Sequence, residues 1–321
     1  MRHEWQAENA GRSCLRAVFG YFGLNGLRRF GENRLASSMV EPRSHEFRVT
    51  PSGPRLHFLS WGTAGRRPLV LLHGGGANAH WWDHIAPAFA AEFYVVAPDF
   101  RGHGDSESPE ELVSGAFNED LSSLLRELRD PRAVLIGHSM GAHVALTHAT
   151  RHPVPALILL DPARGGTQRS RRRLRLALSL RQSYESRDEA VERFRFLPDA
   201  EYADESLRRA IAGRSVEQGR DGRWRYKFDS RWFGLPPTAQ PDPEQVTCPV
   251  LIVRGAESQV LSEEGAQQLA RALHAGETRL IARAGHHVQI DQPREVIDCV
   301  SDFLAERVPA LNETTDDGGD S

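Results

Sequence analysis

The sequence predicts an α/β protein, with a doubly wound, mostly parallel sheet and a helical segment inserted late in the chain. Three observations lead there. Continuous apolar runs such as Pro68-Leu-Val-Leu-Leu-His73 have the texture of strands buried on both faces. They alternate with helix-length stretches, the rhythm that sets successive strands parallel. That rhythm stops after Asp161 and resumes at Pro249. At 321 residues the chain can bury a large core, as one domain carrying an insertion. A formal charge of −3 gives no overall drive toward nucleic acid or anionic membrane, so neither is expected as a partner. No apolar run is long enough to span a bilayer. The three cysteines, Cys14, Cys248 and Cys299, are widely spaced and odd in number. They suggest a reducing, cytoplasmic setting, with neither a disulfide framework nor a zinc site.

In chain order, residues 1–38 carry no strand or motif and are read as an extension outside the core. Secretory and transit readings of this Arg-rich stretch are weaker than a start at Met39. From His45 the texture changes. Phe47-Arg-Val-Thr50 and Arg55-Leu-His-Phe-Leu-Ser-Trp61 alternate as an antiparallel pair turning at Pro51-Ser-Gly-Pro54. The Pro68 strand ends in His73-Gly-Gly-Gly76. A helical stretch to Ala91, the strand Phe93-Tyr-Val-Val-Ala-Pro98 and the loop Asp99-Phe-Arg-Gly-His-Gly-Asp-Ser106 follow. A helix near 118–129 then leads to the strand Arg132-Ala-Val-Leu-Ile-Gly137, and a further strand runs Pro155-Ala-Leu-Ile-Leu-Leu-Asp161. After the insertion come strand Pro249–Arg254, a helix near 262–273, strand Thr278–Ile281 and a closing helix. In that helix Val296, Val300, Phe303 and Leu304 share a face. The core is thus expected over 39–163 and 246–308, and the acidic tail 309–321 to be disordered.

Residues 164–245 hold 18 Lys/Arg against 13 Asp/Glu. They read as short helices (171–181, 186–196, 204–214) followed by Trp224-Arg-Tyr-Lys-Phe228 and Trp232-Phe233. This is expected to be a helical cap. Arg171-Arg-Arg173 reads as a solvated helix face before it reads as an anion site. The aromatics either line an acyl pocket or pack the cap on the sheet.

The chemistry centres on Gly137-His-Ser-Met-Gly141, between a strand and the helical stretch Ala142–Ala149. A serine flanked by glycine two residues away on each side fits a strand–turn–helix nucleophile elbow. So sharp a turn brings the two backbones together, and a Cβ at either glycine would collide. The helix N-terminus beneath offers N–H groups and positive potential to a developing oxyanion. Gly75, ahead of Gly76, and Met140 are the expected donors. Downstream, the Ala284-Gly-His-His287 loop can bring an imidazole, whose ordinary pKa suits a general base.

These residues carry a resemblance. Over roughly 45–307 the sequence resembles the α/β-hydrolase family, through His73-Gly-Gly-Gly76, Asp99–Ser106, Gly137–Gly141 and Gly285-His-His-Val-Gln-Ile-Asp-Gln-Pro293. The resemblance implies the α/β-hydrolase fold, a cap after the sixth strand, Ser139 as nucleophile and His286 as base. It implies a bracing role, not a catalytic one, for the Arg101 loop. The family's usual acid follows the strand Val250–Arg254, but here that loop reads Gly255-Ala-Glu-Ser-Gln259, without aspartate. Asp161, rigidly placed at a strand end in Leu160-Asp-Pro-Ala163, is preferred as the acid. Glu257 is the alternative. Ser258 and Gln259 can orient the histidine but carry no charge.

The expectation is a cofactor-free, metal-free serine hydrolase cleaving a small or medium ester, thioester or lactone through an acyl-enzyme. A carbon–carbon bond hydrolase on the same serine is the alternative, and a non-catalytic ligand-binding relative is the rival from another class. Ser139 argues against aspartate-nucleophile chemistry.

Overall fold

A computed structural model describes residues 41–163, 183–236 and 238–308. Residues 1–38, the expected helix 171–181 with its Arg171–Arg173 run, and the tail 309–321 lie outside the described residues.

The main sheet has eight strands: β1 (Arg43–Arg48), β2 (Arg55–Trp61), β3 (Pro68–Leu72), β4 (Tyr94–Pro98), β5 (Val134–His138), β6 (Leu157–Leu160), β9 (Val250–Gly255) and β10 (Gly276–Ile281). Their order is β1-β2-β4-β3-β5-β6-β9-β10. β1 and β2 pair antiparallel, as β2 does with β4, and every other pairing is parallel. The first strand starts earlier than its apolar residues suggest, because Arg43–Glu46 pair with β2 along an edge that needs no burial.

The period of two along each strand divides the core. Val134, Ile136, Ile158, Leu160, Leu251 and Val253 face one layer, where Val296, Val300, Phe303 and Leu304 of the closing helix cover them. Leu135, Leu157, Leu159, Val250 and Ile252 face the other, under helices α1 (Ala116–Leu128), α2 (Met140–Ala149) and α5 (Glu263–Ala272). Burial on both faces is why β3, β5 and β6 read as unbroken apolar runs.

The helical stretch expected before Ala91 is two 3₁₀ turns, Ala79–Trp82 and Ala86–Ala88. Asn78 caps the first through its side chain, and Pro87 sits at the start of the second without an N–H to continue an α-helix. Between β6 and β9 the chain leaves the sheet. It forms α3 (Arg187–Glu192), α4 (Glu205–Arg214) and a hairpin of β7 (Val216–Gln218) with β8 (Trp224–Tyr226). The helix expected over 186–196 stops at Glu192. Phe194 and Phe196 turn inward against Trp81, and Pro198 disfavours helix at the residue before it. The aromatic stretch divides. Trp224 and Tyr226 pack with Tyr184 and Val191, whereas Trp232 and Phe233 sit in a 3₁₀ turn, Ser230–Gly234. After β10, a short helix α6 (Val288–Asp291) precedes the closing α7 (Pro293–Arg307).

Candidate active site

Ser139 stands between β5 and α2 with φ 52° and ψ −111°. A left-handed φ on a residue with a Cβ costs on the order of 1–3 kcal/mol and persists only where surroundings dictate it. Here the Ser139 N–H donates to Leu160 O at 3.1 Å, and its carbonyl accepts from the His143 N–H at 3.2 Å. The flanking glycines are required by contact. A Cβ on Gly137 would lie 2.5 Å from Ala142 N, and one on Gly141 would lie 2.3 Å from Leu72 O.

The His286 loop approaches from β10. His286 Nε2 is 2.8 Å from Ser139 Oγ, and Nδ1 is 2.6 Å from Asp161 Oδ2. An ionised carboxylate only accepts, so the proton sits on Nδ1 and leaves Nε2 free to accept from the serine hydroxyl. His286 and Asp161 are buried, Asp161 completely. Asp161 also has a left-handed φ, 42°, and its N–H donates to Val253 O at 2.7 Å.

Of the two acids considered, Asp161 lies on the imidazole and Glu257 does not. The Glu257 carboxylate accepts the Ala284 N–H at 3.0 Å, and its own N–H donates to Ala284 O at 2.9 Å. It braces the histidine loop from behind. Ser258 does not orient the histidine as anticipated; its hydroxyl donates to Asp161 Oδ2 at 2.6 Å.

Two further histidines support the site; both lie in motifs read from the sequence, which assigned neither a role of its own. His138 Nε2 is 3.0 Å from the His286 carbonyl and donates to it. His287 Nε2 donates to Pro198 O at 2.9 Å, tying the insertion to the loop that carries His286. Asp291 caps the same loop by accepting the Gly285 N–H at 2.8 Å and the Tyr202 N–H at 3.1 Å.

Burial holds His138 and His287 neutral. It pushes His138 well below its ordinary value, aided by the neighbouring His286 and His287, and takes His287 to about 3. Burial also lowers His73, and with the nearby His73 it takes His103 to about 3. In the unfolded chain each regains a value near 6.5. Below that pH the unfolded state binds protons that the native state refuses, so stability falls as pH drops from about 6.5 toward 3. Each histidine contributes at most about 1.4 kcal/mol per pH unit. Asp120, raised by burial to about 6, acts oppositely, and so does Asp291, also raised by burial. Glu217 is raised by burial too, but these three carboxylates offset only part of the histidines, because burial lowers His45, His84 and His148 as well. The melting temperature should be lower at pH 5 than at pH 7.5 by on the order of 10 °C. Equal melting temperatures by calorimetry would contradict this.

The glycine loop after β3 is fixed by His73, whose Nδ1 donates to Gly74 O at 2.7 Å while Nε2 accepts the Phe100 N–H at 3.1 Å. Behind it, Asp99 accepts the Ala79 N–H and bonds His57 Nδ1 at 2.7 Å; Arg101 pairs with Asp120 and Glu119. These contacts brace the loop and touch none of Ser139, His286 or Asp161. Gly75 and Met140 line a cavity of about 400 Å³ together with Ser139 and His286. Phe117 and Val144 of the core, with Leu197, Trp232, Phe233 and Leu235 of the insertion, supply much of its apolar wall. Phe233 is close enough that a Cβ on Gly75 would lie 3.2 Å from its ring.

The sequence matches the profile of the Alpha/beta hydrolase family over residues 69–299. The chain belongs to that family. It is 29% identical over 296 residues to the esterase Rv0045c of Mycobacterium tuberculosis, covering 89% of this chain and 97% of that one. A solved structure of the M. tuberculosis esterase superposes with TM-score 0.67 at 26% identity, over 82% of this chain and 92% of that chain. An alpha/beta hydrolase from Novosphingobium aromaticivorans superposes with TM-score 0.70 at 26% identity, over 84% of this chain and all of that one. Family and relative together support a hydrolase. No helix among the described residues is long and apolar enough to cross a membrane.

Proposed function

We propose that this hydrolase is a serine esterase, working without a cofactor on a small or medium ester, thioester or lactone through an acyl-enzyme. The observation that carries the reading is the hydrogen-bonded series Ser139–His286–Asp161, opening into a mostly apolar cavity. Ser139 Oγ attacks the substrate carbonyl while His286 Nε2 takes its proton. Asp161 stabilises the imidazolium that forms. The Gly75 and Met140 N–H groups receive the oxyanion of the tetrahedral intermediate. His286 then returns the proton to the leaving alcohol or thiol, and water, activated by the same histidine, releases the acyl group. The esterase relative supports carboxylic esters as the substrate class.

Residues 164–245 act as the cap of this site and the sheet segments on either side as its catalytic core. Support comes from Leu197, Trp232 and Phe233, which stand on the cavity wall, and from the His287–Pro198 bond that joins the insertion to the catalytic loop. A series of p-nitrophenyl esters of graded chain length tests the reading. Turnover should be highest for short and medium acyl groups, as a cavity of about 400 Å³ dictates, and fall for long ones. No hydrolysis across the series would refute it.

A further inference from the structure

Resting on that reading, we propose that Ser258 is the positioning residue for Asp161, and that the loop carrying it sets acid and base against one another. The Asp161 carboxylate is held through Oδ2 alone, by His286 Nδ1 at 2.6 Å and Ser258 Oγ at 2.6 Å. Its Oδ1 is buried and makes no hydrogen bond among the described residues. The Ser258 hydroxyl is itself oriented, accepting the N–H groups of Val260 at 3.2 Å and Leu261 at 3.3 Å, so its proton is directed at the carboxylate.

The loop behind Ser258 is anchored from within. Arg254, 9% exposed, donates from Nε to Leu261 O at 2.7 Å, from Nη1 to Ala256 O at 3.3 Å and from Nη2 to Ser258 O at 3.4 Å. One residue before Ser258, Glu257 grips Ala284, two residues ahead of His286, with both its N–H and its carboxylate. A single loop thus holds the acid by one side chain and the base's segment by the next.

The consequence is physical. The terminal torsion of an aspartate is broad and roughly two-fold, so a carboxylate with one partner swings. Ser258 supplies the second bond that stops the swing. It also shares the negative charge that would otherwise fall wholly on His286. Ser258 touches no reacting atom; it acts through Asp161.

Ser258→Ala and Ser258→Thr should be compared with wild type and Ser139→Ala in the full chain, on a p-nitrophenyl ester, with thermal melts confirming the fold. Ser258→Ala should lose about 10- to 100-fold in kcat, the loss of one hydrogen bond to a charged group, with KM within about twofold. The undivided Asp161 charge favours protonated His286, so the acidic limb of kcat/KM should move to higher pH. Ser258→Thr, which keeps the hydroxyl, should restore kcat to within about threefold and return the limb. A Ser258→Ala enzyme within about twofold of wild type, beside an inactive Ser139→Ala, overturns this proposal and leaves the serine reading standing. A loss in kcat with an unmoved acidic limb and no recovery in Ser258→Thr overturns it too. An active Ser139→Ala removes the serine reading itself, and this proposal with it.

Discussion

Replacing Ser139 by alanine should lower ester turnover by roughly 10³-fold or more, because nucleophile, base and acid act as a unit. The fold should survive. Ser139 donates its backbone N–H to Leu160 O and accepts at its carbonyl from His143 N, and both bonds are independent of the hydroxyl. Alanine keeps the Cβ, so the left-handed backbone at φ 52° is neither relieved nor worsened. The lost group is the Oγ that lies 2.8 Å from His286 Nε2. Retention of more than about a tenth of the wild-type rate would show that another group attacks the substrate.

The second large effect belongs to the acid. Asp161→Asn preserves shape but removes the charge that stabilises the imidazolium and fixes the Nδ1 proton. It should cost roughly 10²- to 10⁴-fold in kcat. Glu257→Gln is the matched control. Its side chain keeps an oxygen able to accept the Ala284 N–H, and it does not contact the imidazole, so only a few-fold change is expected. A collapse of Glu257→Gln beside a near-normal Asp161→Asn would reverse the assignment. Near-normal activity in both would leave a serine–histidine dyad.

Much of the sheet was legible in the sequence because burial on both faces leaves an unbroken apolar run, as in β3 and β6. The closing helix was legible through Val296, Val300, Phe303 and Leu304, which do meet one core layer. Less could be read where short elements depend on contacts far along the chain. The β7–β8 hairpin pairs only three residues on each side, too few to leave a pattern amid charged neighbours. The turns before Ala91 become 3₁₀ because Asn78 and Pro87 govern their starts, a local effect hidden beneath a helix-like apolar spacing.

At the site, Gly137 and Gly141 could be read because their steric requirement is local. The acid could not be decided from sequence. Asp161 and His286 are 125 residues apart, and only the sheet order β6-β9-β10 brings the end of β6 within reach of the loop that follows β10. For the same reason Ser258, placed by sequence near the histidine, is found on the aspartate instead. Sequence position marks the loop but not the side chain that its hydroxyl faces.

The most direct measurement is covalent. The full chain would be treated with a fluorophosphonate, which phosphonylates only a serine made nucleophilic by a neighbouring base, and the adduct located by peptide mass spectrometry. A single phosphonyl adduct on the peptide carrying Ser139, absent from Ser139→Ala and greatly slowed in a His286→Ala variant, is the expected result. An unlabelled wild-type chain, or an adduct on a different serine, would contradict a catalytic Ser139.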